Sequence, residues 1–141
     1  MDNFIVCYTM DMKHTEIPLP MLQHAVLLWV CTKEEAEEMY KNTEYSDIEQ
    51  NMEFDGHGKT IFTRGLKAIM WIDSTLDKQL TYSILAHECV HATNVILSDR
   101  GVVINEYNDE IRAYMVQYLM EYAIKWGVGK KGGESKARKK K

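Results

Sequence analysis

Two histidines four residues apart, with a glutamate directly after the first, restrict the fold of this chain more than any other feature. They form the sequence His87-Glu88-Cys89-Val90-His91. In an α-helix, residues four apart lie on one face, so both imidazoles can reach the same metal ion. Imidazole is a good zinc ligand, and Glu88 can accept a proton from water as a general base. The alternative is a core helix whose two histidines are hydrogen-bonded to their neighbours.

The residues around this motif predict a helix from Leu76 to Ser98. Apolar residues recur at spacings that suit a helix buried over much of its circumference. Ser74 or Thr75 can cap its start, because a side-chain oxygen there accepts a hydrogen bond from the first backbone N–H groups. Gly101 is a suitable residue for ending the helix.

A second long helix can supply a third metal ligand. It is predicted to run from Asn108, a natural N-cap, to Trp126. A carboxylate in its first turn can reach a metal held by a helix packed alongside. We favour Glu110, which shares a face with Ala113 and Tyr114. First-turn acids also complement the helix dipole without binding metal. The competing carboxylates are Glu106 and Asp109.

The order of these residues resembles the gluzincin plan, in which H-E-x-x-H is followed about twenty residues later by a glutamate on the next helix. The run Glu110-Ile111-Arg112-Ala113-Tyr114 resembles the E-x-x-A-Y that follows H-E-x-x-H-A in small zinc-metallopeptidase-like proteins of tailed phages and prophages. The resemblance extends over residues 60–126. It implies a zinc ion held by His87, His91 and Glu110, with Glu88 as base. The second substrate-binding domain of full-size gluzincin peptidases has no counterpart in this chain.

Two classes of function fit these residues. The first is a zinc hydrolase, a metallopeptidase with a narrow range of protein or peptide substrates, in which Glu88 activates water. Such a reaction needs a donor to the oxyanion, and we place Tyr114 with Glu88 as catalytic. Arg112, Tyr107 and His57 remain open as donors. The second class is a non-catalytic binding module in which zinc joins the two helices, for example a phage protein that intercepts a host factor.

The segments before the motif predict a small sheet. The predicted strands are Phe4–Thr9, His24–Thr32, Ile61–Thr63 and Lys67–Asp73, with a break at Ile17–Pro20 and a short helix at Lys33–Lys41 that Thr32 caps. We therefore expect an α+β fold, a small β-sheet packed on two long helices. The resemblance to gluzincins implies that this is a minimal zincin-like fold. An extended peptide can pair with the strand that leads into the motif helix. The predicted substrate-binding residues are Ala68, Met70 and Ile72.

Charge is divided unevenly along the chain. Residues 130–141 contain seven Lys or Arg and one acid, which leaves 10 basic and 20 acidic side chains in the rest. We expect one domain over residues 1–126 and a disordered basic tail over residues 127–141, because the tail is rich in glycine and lysine. The tail either improves solubility or makes a weak contact with nucleic acid or another polyanion.

Apolar runs, the N-terminal residues and the cysteines also indicate the cellular compartment. The longest apolar run, from Ala25 to Cys31, is too short to cross a bilayer, and the N-terminus lacks the basic region of a secretory signal. Three cysteines without ligand-like spacing predict reduced thiols. We expect no membrane contact and a cytoplasmic location, in the host cell if the protein is phage-encoded. Cys89 is predicted to be a core residue.

Overall fold

The computed structural model describes residues 13–43, 52–63 and 67–130. In these ranges the chain forms β1 (Lys13–Leu19), β2 (His24–Cys31), α1 (Lys33–Lys41), β3 (Gly58–Phe62), β4 (Lys67–Asp73), α2 (Lys78–Asp99) and α3 (Glu110–Trp126). The predicted α+β class is confirmed. The predicted strand Phe4–Thr9 lies outside the described residues.

The described strands form one mixed sheet in the order β1-β2-β4-β3. Strands β2 and β4 are parallel, whereas β1 and β3 pair antiparallel with their neighbours. The two inner strands are therefore β2 and β4, and the two edges are β1 and β3. Helix α1 packs on one face of the sheet, and α2 and α3 pack on the other.

Side chains of β4 alternate between two cores. Ala68, Met70 and Ile72 pack with α2 and α3, whereas Ile69 and Trp71 pack with α1. All five side chains are fully buried. The predicted substrate-binding role of Ala68, Met70 and Ile72 is therefore wrong. These side chains fill the core, and both edges of β4 are already paired with other strands.

Helix α2 begins slightly later than predicted. Its N-cap is Asp77, whose side chain accepts a hydrogen bond from the Leu80 N–H at 2.9 Å. The predicted caps, Ser74 and Thr75, lie in the turn between β4 and α2. At the other end, Gly101 has a φ of +76°, a conformation that glycine adopts without strain. The predicted helix end is thus confirmed.

The start of α3 also differs from the prediction. Asn108 is not the N-cap, because α3 begins at Glu110 after Asp109. The Asn108 side chain instead closes the preceding loop. It accepts a hydrogen bond from the Asn105 N–H at 2.8 Å and donates to the Val103 carbonyl at 2.8 Å. Its polar groups are therefore used before the helix begins.

Pro18 lies within β1, so the predicted chain break is wrong at this residue. It is paired with Ala25 of β2 in the ladder. An edge strand tolerates proline because a missing N–H on its outer side removes no ladder hydrogen bond. The Pro18 carbonyl also accepts a hydrogen bond from the Tyr118 hydroxyl at 2.8 Å, which links β1 to α3.

The packed part of the chain extends beyond Trp126, the predicted end of the domain. Val128 is 1% exposed and belongs to the core between the sheet, α2 and α3. Lys13 of β1 also donates a hydrogen bond to the Lys130 carbonyl at 3.1 Å. Residues 131–141, which carry most of the basic tail, lie outside the described residues.

A hydrogen-bonded histidine and aspartate join the turn before β3 to the end of β4. Nδ1 of His57 lies 2.8 Å from Oδ2 of Asp73, and Thr75 donates twice to the other carboxylate oxygen. Burial raises the pKa of Asp73, but the hydrogen bonds from His57 and Thr75 outweigh this effect. The pKa of Asp73 therefore lies below its ordinary value of 3.8.

We expect Asp73→Asn to lower the free energy of unfolding at neutral pH by about 1 kcal/mol. Because the pKa of Asp73 is lower in the folded protein than in the unfolded chain, its stabilisation is present above pH 3.8. It is lost as the pH falls below that value, through the folded-state pKa. Urea unfolding of both proteins between pH 3 and pH 7 measures the difference. The exposed Asp55, changed to Asn, is the control, and a gap that is independent of pH would contradict the prediction.

Candidate metal centre

Successive residues of α2 face different surroundings at the motif. Glu88 points to the edge strand β3, and Cys89 is buried in the core. Val90 faces a groove between α2 and α3. His91, and His87 one turn before it, are exposed. The two histidines therefore lie on an open strip of α2, with β3 on one side and α3 on the other.

The two histidine side chains already lie close together. Their Nε2 atoms are 3.1 Å apart, and their ring planes are inclined by 75°. In a tetrahedral zinc site with bonds of about 2.0–2.1 Å, two ligand nitrogens are separated by roughly 3.3 Å. The observed pair fits that separation closely. Because His87 and His91 are exposed, the alternative of histidines held in a core does not describe them.

The first turn of α3 lies across a groove from the motif. This open groove has a volume of about 410 Å³. It is lined by Val90 of α2 and by Asp109, Arg112, Ala113, Val116 and Gln117. Glu110 belongs to the same turn and is exposed. Within residues 13–43, 52–63 and 67–130, no three His, Cys, Asp or Glu side chains are grouped so that they could hold a metal ion. The role of Glu110 as third ligand therefore stays a prediction.

Glu88 is buried although it carries a carboxylate. It is 4% exposed, and its Oε1 accepts a hydrogen bond of 2.6 Å from the Thr60 hydroxyl of β3. Strand β3 can approach α2 this closely because residue 58 is glycine. A Cβ atom there would lie 2.5 Å from Cγ2 of Ile84 and 3.0 Å from Cγ of Glu88. Gly58 and Thr60 thus bring the edge strand against the proposed base.

Neither of these β3 residues was among the site residues predicted from the sequence. The predicted strand begins at Ile61, whereas β3 begins at Gly58. The available signal was the spacing of Gly58, Thr60 and Phe62, since residues two apart in a strand share a face. A glycine in a strand also often marks a close approach of another element.

The predicted oxyanion donors lie in different places. Tyr114 of α3 is 66% exposed and Tyr107 of the preceding loop is 88% exposed, while Arg112 lines the groove. His57 is hydrogen-bonded to Asp73. Asp73 follows Ile72, the last β4 residue whose side chain packs on the α2 face of the sheet. Strand alternation therefore directs this pair toward α1, away from Glu88. Of these four candidates, Arg112 is the one that lines the groove beside Val90 of the motif.

The two cysteines among the described residues lie in the two cores of the fold. Cys31 and Cys89 are free thiols with no exposed surface. Burial raises the pKa of each to about 12, and nearby carboxylates add to the effect. Both thiols are therefore protonated at neutral pH and are poor metal ligands. The prediction that Cys89 is a core residue is confirmed.

Comparisons of the chain with protein-family models, curated proteins and solved structures gave no match. Among the helices of the described residues, none is long and apolar enough to cross a membrane.

Proposed function

We propose that this protein is a zinc-dependent hydrolase with a zincin-like fold, a metallopeptidase that acts on a narrow set of protein substrates. One observation carries the proposal. Two exposed imidazole nitrogens lie 3.1 Å apart on α2, and the residue after the first histidine is a carboxylate held against an edge strand. A structural zinc site has no use for that carboxylate, whereas hydrolysis requires a base.

The proposed zinc ligands are His87 and His91 of α2 and Glu110 of α3. Two imidazoles and one carboxylate form a donor set typical of catalytic zinc, with a coordination position left for water or substrate. A zinc ion held there would supply Lewis acidity toward a carbonyl oxygen and toward water. The exposure of His87 and His91 keeps that position open to a substrate.

Glu88 is the proposed general base. It would accept a proton from the attacking water and deliver it to the leaving amine. A base must be held within hydrogen-bond reach of the water, and the buried setting of Glu88 restricts its movement. Tyr114, exposed on α3, is the proposed donor to the oxyanion, with Arg112 as the alternative.

The strand that can bind a substrate peptide is β3, in place of the predicted β4. Among the described residues, β3 has a strand partner on one side only. An extended peptide can add to such an edge through backbone hydrogen bonds. Because Gly58 and Thr60 bring β3 against Glu88, a peptide paired with β3 would pass beside the base.

The proposal is tested by zinc-dependent cleavage of natural proteins. The purified chain, stripped with a chelator and then reloaded with zinc, is incubated with a lysate of the organism that encodes it or, for a phage protein, of its host. New protein N-termini are identified by mass spectrometry. We expect new termini in one or a few proteins with the reloaded sample and none with the stripped sample. No zinc-dependent termini would overturn the proposal.

A zinc-joined binding module is the second candidate. The observation in its favour is a set of exposed apolar side chains before and within α3. Val103, Tyr107 and Tyr114 are 75%, 88% and 66% exposed. Exposed apolar groups that cluster on a surface are typical of interaction sites. In such a module Glu88 would be dispensable.

We expect Glu110→Gln to weaken zinc binding by at least about 100-fold. Residues outside the coordination shell contribute up to about that factor, and a direct ligand should contribute at least as much. Asp109→Asn and Glu106→Gln are the matched controls, because each removes a nearby charge without removing the proposed ligand. Competition with a chelator of known affinity measures the zinc dissociation constant of each variant. If either control has the larger effect, the third ligand is misassigned, although the histidine pair is unaffected.

A further inference from the structure

The Glu88 carboxylate lies between α2 and the edge strand β3. Its Oε1 is 2.6 Å from Oγ1 of Thr60, and the same hydroxyl is 3.3 Å from the Glu88 carbonyl oxygen. A hydroxyl donates one proton, so the shorter contact is the hydrogen bond. Its length is within the ordinary range for a hydroxyl that donates to a carboxylate oxygen. Among the described residues, no side chain donates to Oε2 of Glu88.

Thr60 is a fixed point for this contact. Threonine is β-branched and therefore restricted about its first side-chain torsion, and here it is part of a strand paired with β4. Glutamate has three side-chain torsions and has many conformers when no partner holds it. The hydrogen bond restricts these conformers. It uses Oε1, so Oε2, which lies beside Gly58, is the oxygen left to accept a proton from water.

We infer that Thr60 is a positioning residue, whose hydroxyl holds Glu88 in the conformation that transfers the proton. The inference rests on the proposed function, since Glu88 is the base of that reaction. Among the described hydrogen bonds, the Thr60 side chain is joined to Glu88 and to neither histidine, so we expect its effect to pass through Glu88. The strand proposed to pair with the substrate is also the strand that holds the base. One element thus sets the distance between the base and the scissile peptide.

Two substitutions separate the hydroxyl from the shape of the side chain. Thr60→Val removes the hydroxyl and keeps a branched side chain, whereas Thr60→Ser keeps the hydroxyl. We expect Thr60→Val to lower kcat by about 10- to 100-fold, the cost of a slightly misplaced catalytic group. The KM and the zinc dissociation constant should not change. Thr60→Ser should restore most of kcat. The substrate is a peptide that spans a cleavage site found in the lysate experiment.

The structural prediction is tested without a substrate. A high-resolution crystal structure of zinc-loaded Thr60→Val should show Glu88 in a changed or mixed conformation, whereas Thr60→Ser should keep the wild-type conformation. An unchanged Glu88 in Thr60→Val overturns the inference. If Thr60→Val does not fold, Thr60→Ala replaces it in both measurements.

A double substitution distinguishes a failed inference from a failed function. In a Glu88→Gln background, Thr60→Val should cause no further loss of kcat, because the base is already absent. A wild-type kcat in Thr60→Val, or equal losses in Thr60→Val and Thr60→Ser, overturns the role of Thr60 and leaves the zinc hydrolase standing. A wild-type protein without zinc-dependent cleavage overturns the hydrolase itself.

Discussion

Glu88→Gln is expected to remove all but a small fraction of zinc-dependent cleavage while zinc content and folding stay nearly unchanged. A neutral amide cannot accept a proton from water at neutral pH, and a general base contributes about 10²- to 10⁴-fold to the rate. The substitution preserves the shape of the side chain and an oxygen at Oε1. That oxygen can still accept the Thr60 hydroxyl, which lies 2.6 Å from it in the wild type. The loss would therefore report the missing base and not a collapsed site.

The measurement compares zinc stoichiometry, thermal unfolding and lysate cleavage of wild type and Glu88→Gln under the same conditions. The result also separates the two candidate functions. If the protein is a hydrolase, Glu88→Gln should remove its biological effect. If it is a zinc-joined binding module, the effect should persist in Glu88→Gln. A Glu88→Gln protein that binds zinc, folds and retains full biological activity would exclude the hydrolase.

Elements with strong local signals were predicted well. Strand β4 occupies the predicted range Lys67–Asp73, and α1 occupies Lys33–Lys41 after the predicted cap Thr32. At that cap, the Thr32 hydroxyl accepts from the Glu35 N–H and the Glu35 carboxylate accepts from the Thr32 N–H. Such signals depend on residues within one turn or one strand, so the sequence itself contains them.

The order of strands was not predicted, because pairing joins residues that are distant in the sequence. The role of substrate strand was given to β4 because it directly precedes the motif helix. Between its charged ends, the residues from Ala68 to Ile72 are all apolar, as expected of a strand buried on both faces. That pattern favours an inner strand and argues against a free edge. The short strand β3, which begins at Gly58, takes the edge position instead.

In the candidate site, too, local features could be predicted from the sequence, whereas contacts between distant residues could not. The proximity of His87 and His91 follows from helical spacing, so it could be predicted from five residues. The position of Glu110 relative to them depends on how α2 and α3 cross and on the loop between them. No local pattern specifies that crossing. The orientation of His57 likewise depends on the alternation of β3 and β4, which places it beside Asp73.

His91→Ala is expected to lose stoichiometric zinc and most of the stability that zinc provides. Removing one of the three proposed ligands would leave His87 and Glu110, which would not hold the ion at the wild-type affinity. A ligand that binds only the folded state stabilises it by mass action. At a free zinc concentration of about 100 times the dissociation constant, this amounts to about 2.7 kcal/mol. For a domain of this size, the melting temperature of the wild type should rise by roughly 10 °C on zinc addition.

The matched control is His14→Ala, because His14 is also an exposed histidine but lies on the edge strand β1, away from the motif. Zinc content is measured by elemental analysis after dialysis, and thermal unfolding is followed with and without added zinc. His14→Ala should keep one zinc per chain and the full rise in melting temperature. His91→Ala should show neither, since its remaining imidazole has lost the partner 3.1 Å away. Full zinc retention in His91→Ala would show that the motif histidines do not form the metal site, and Glu88 would then have no bound water to act on.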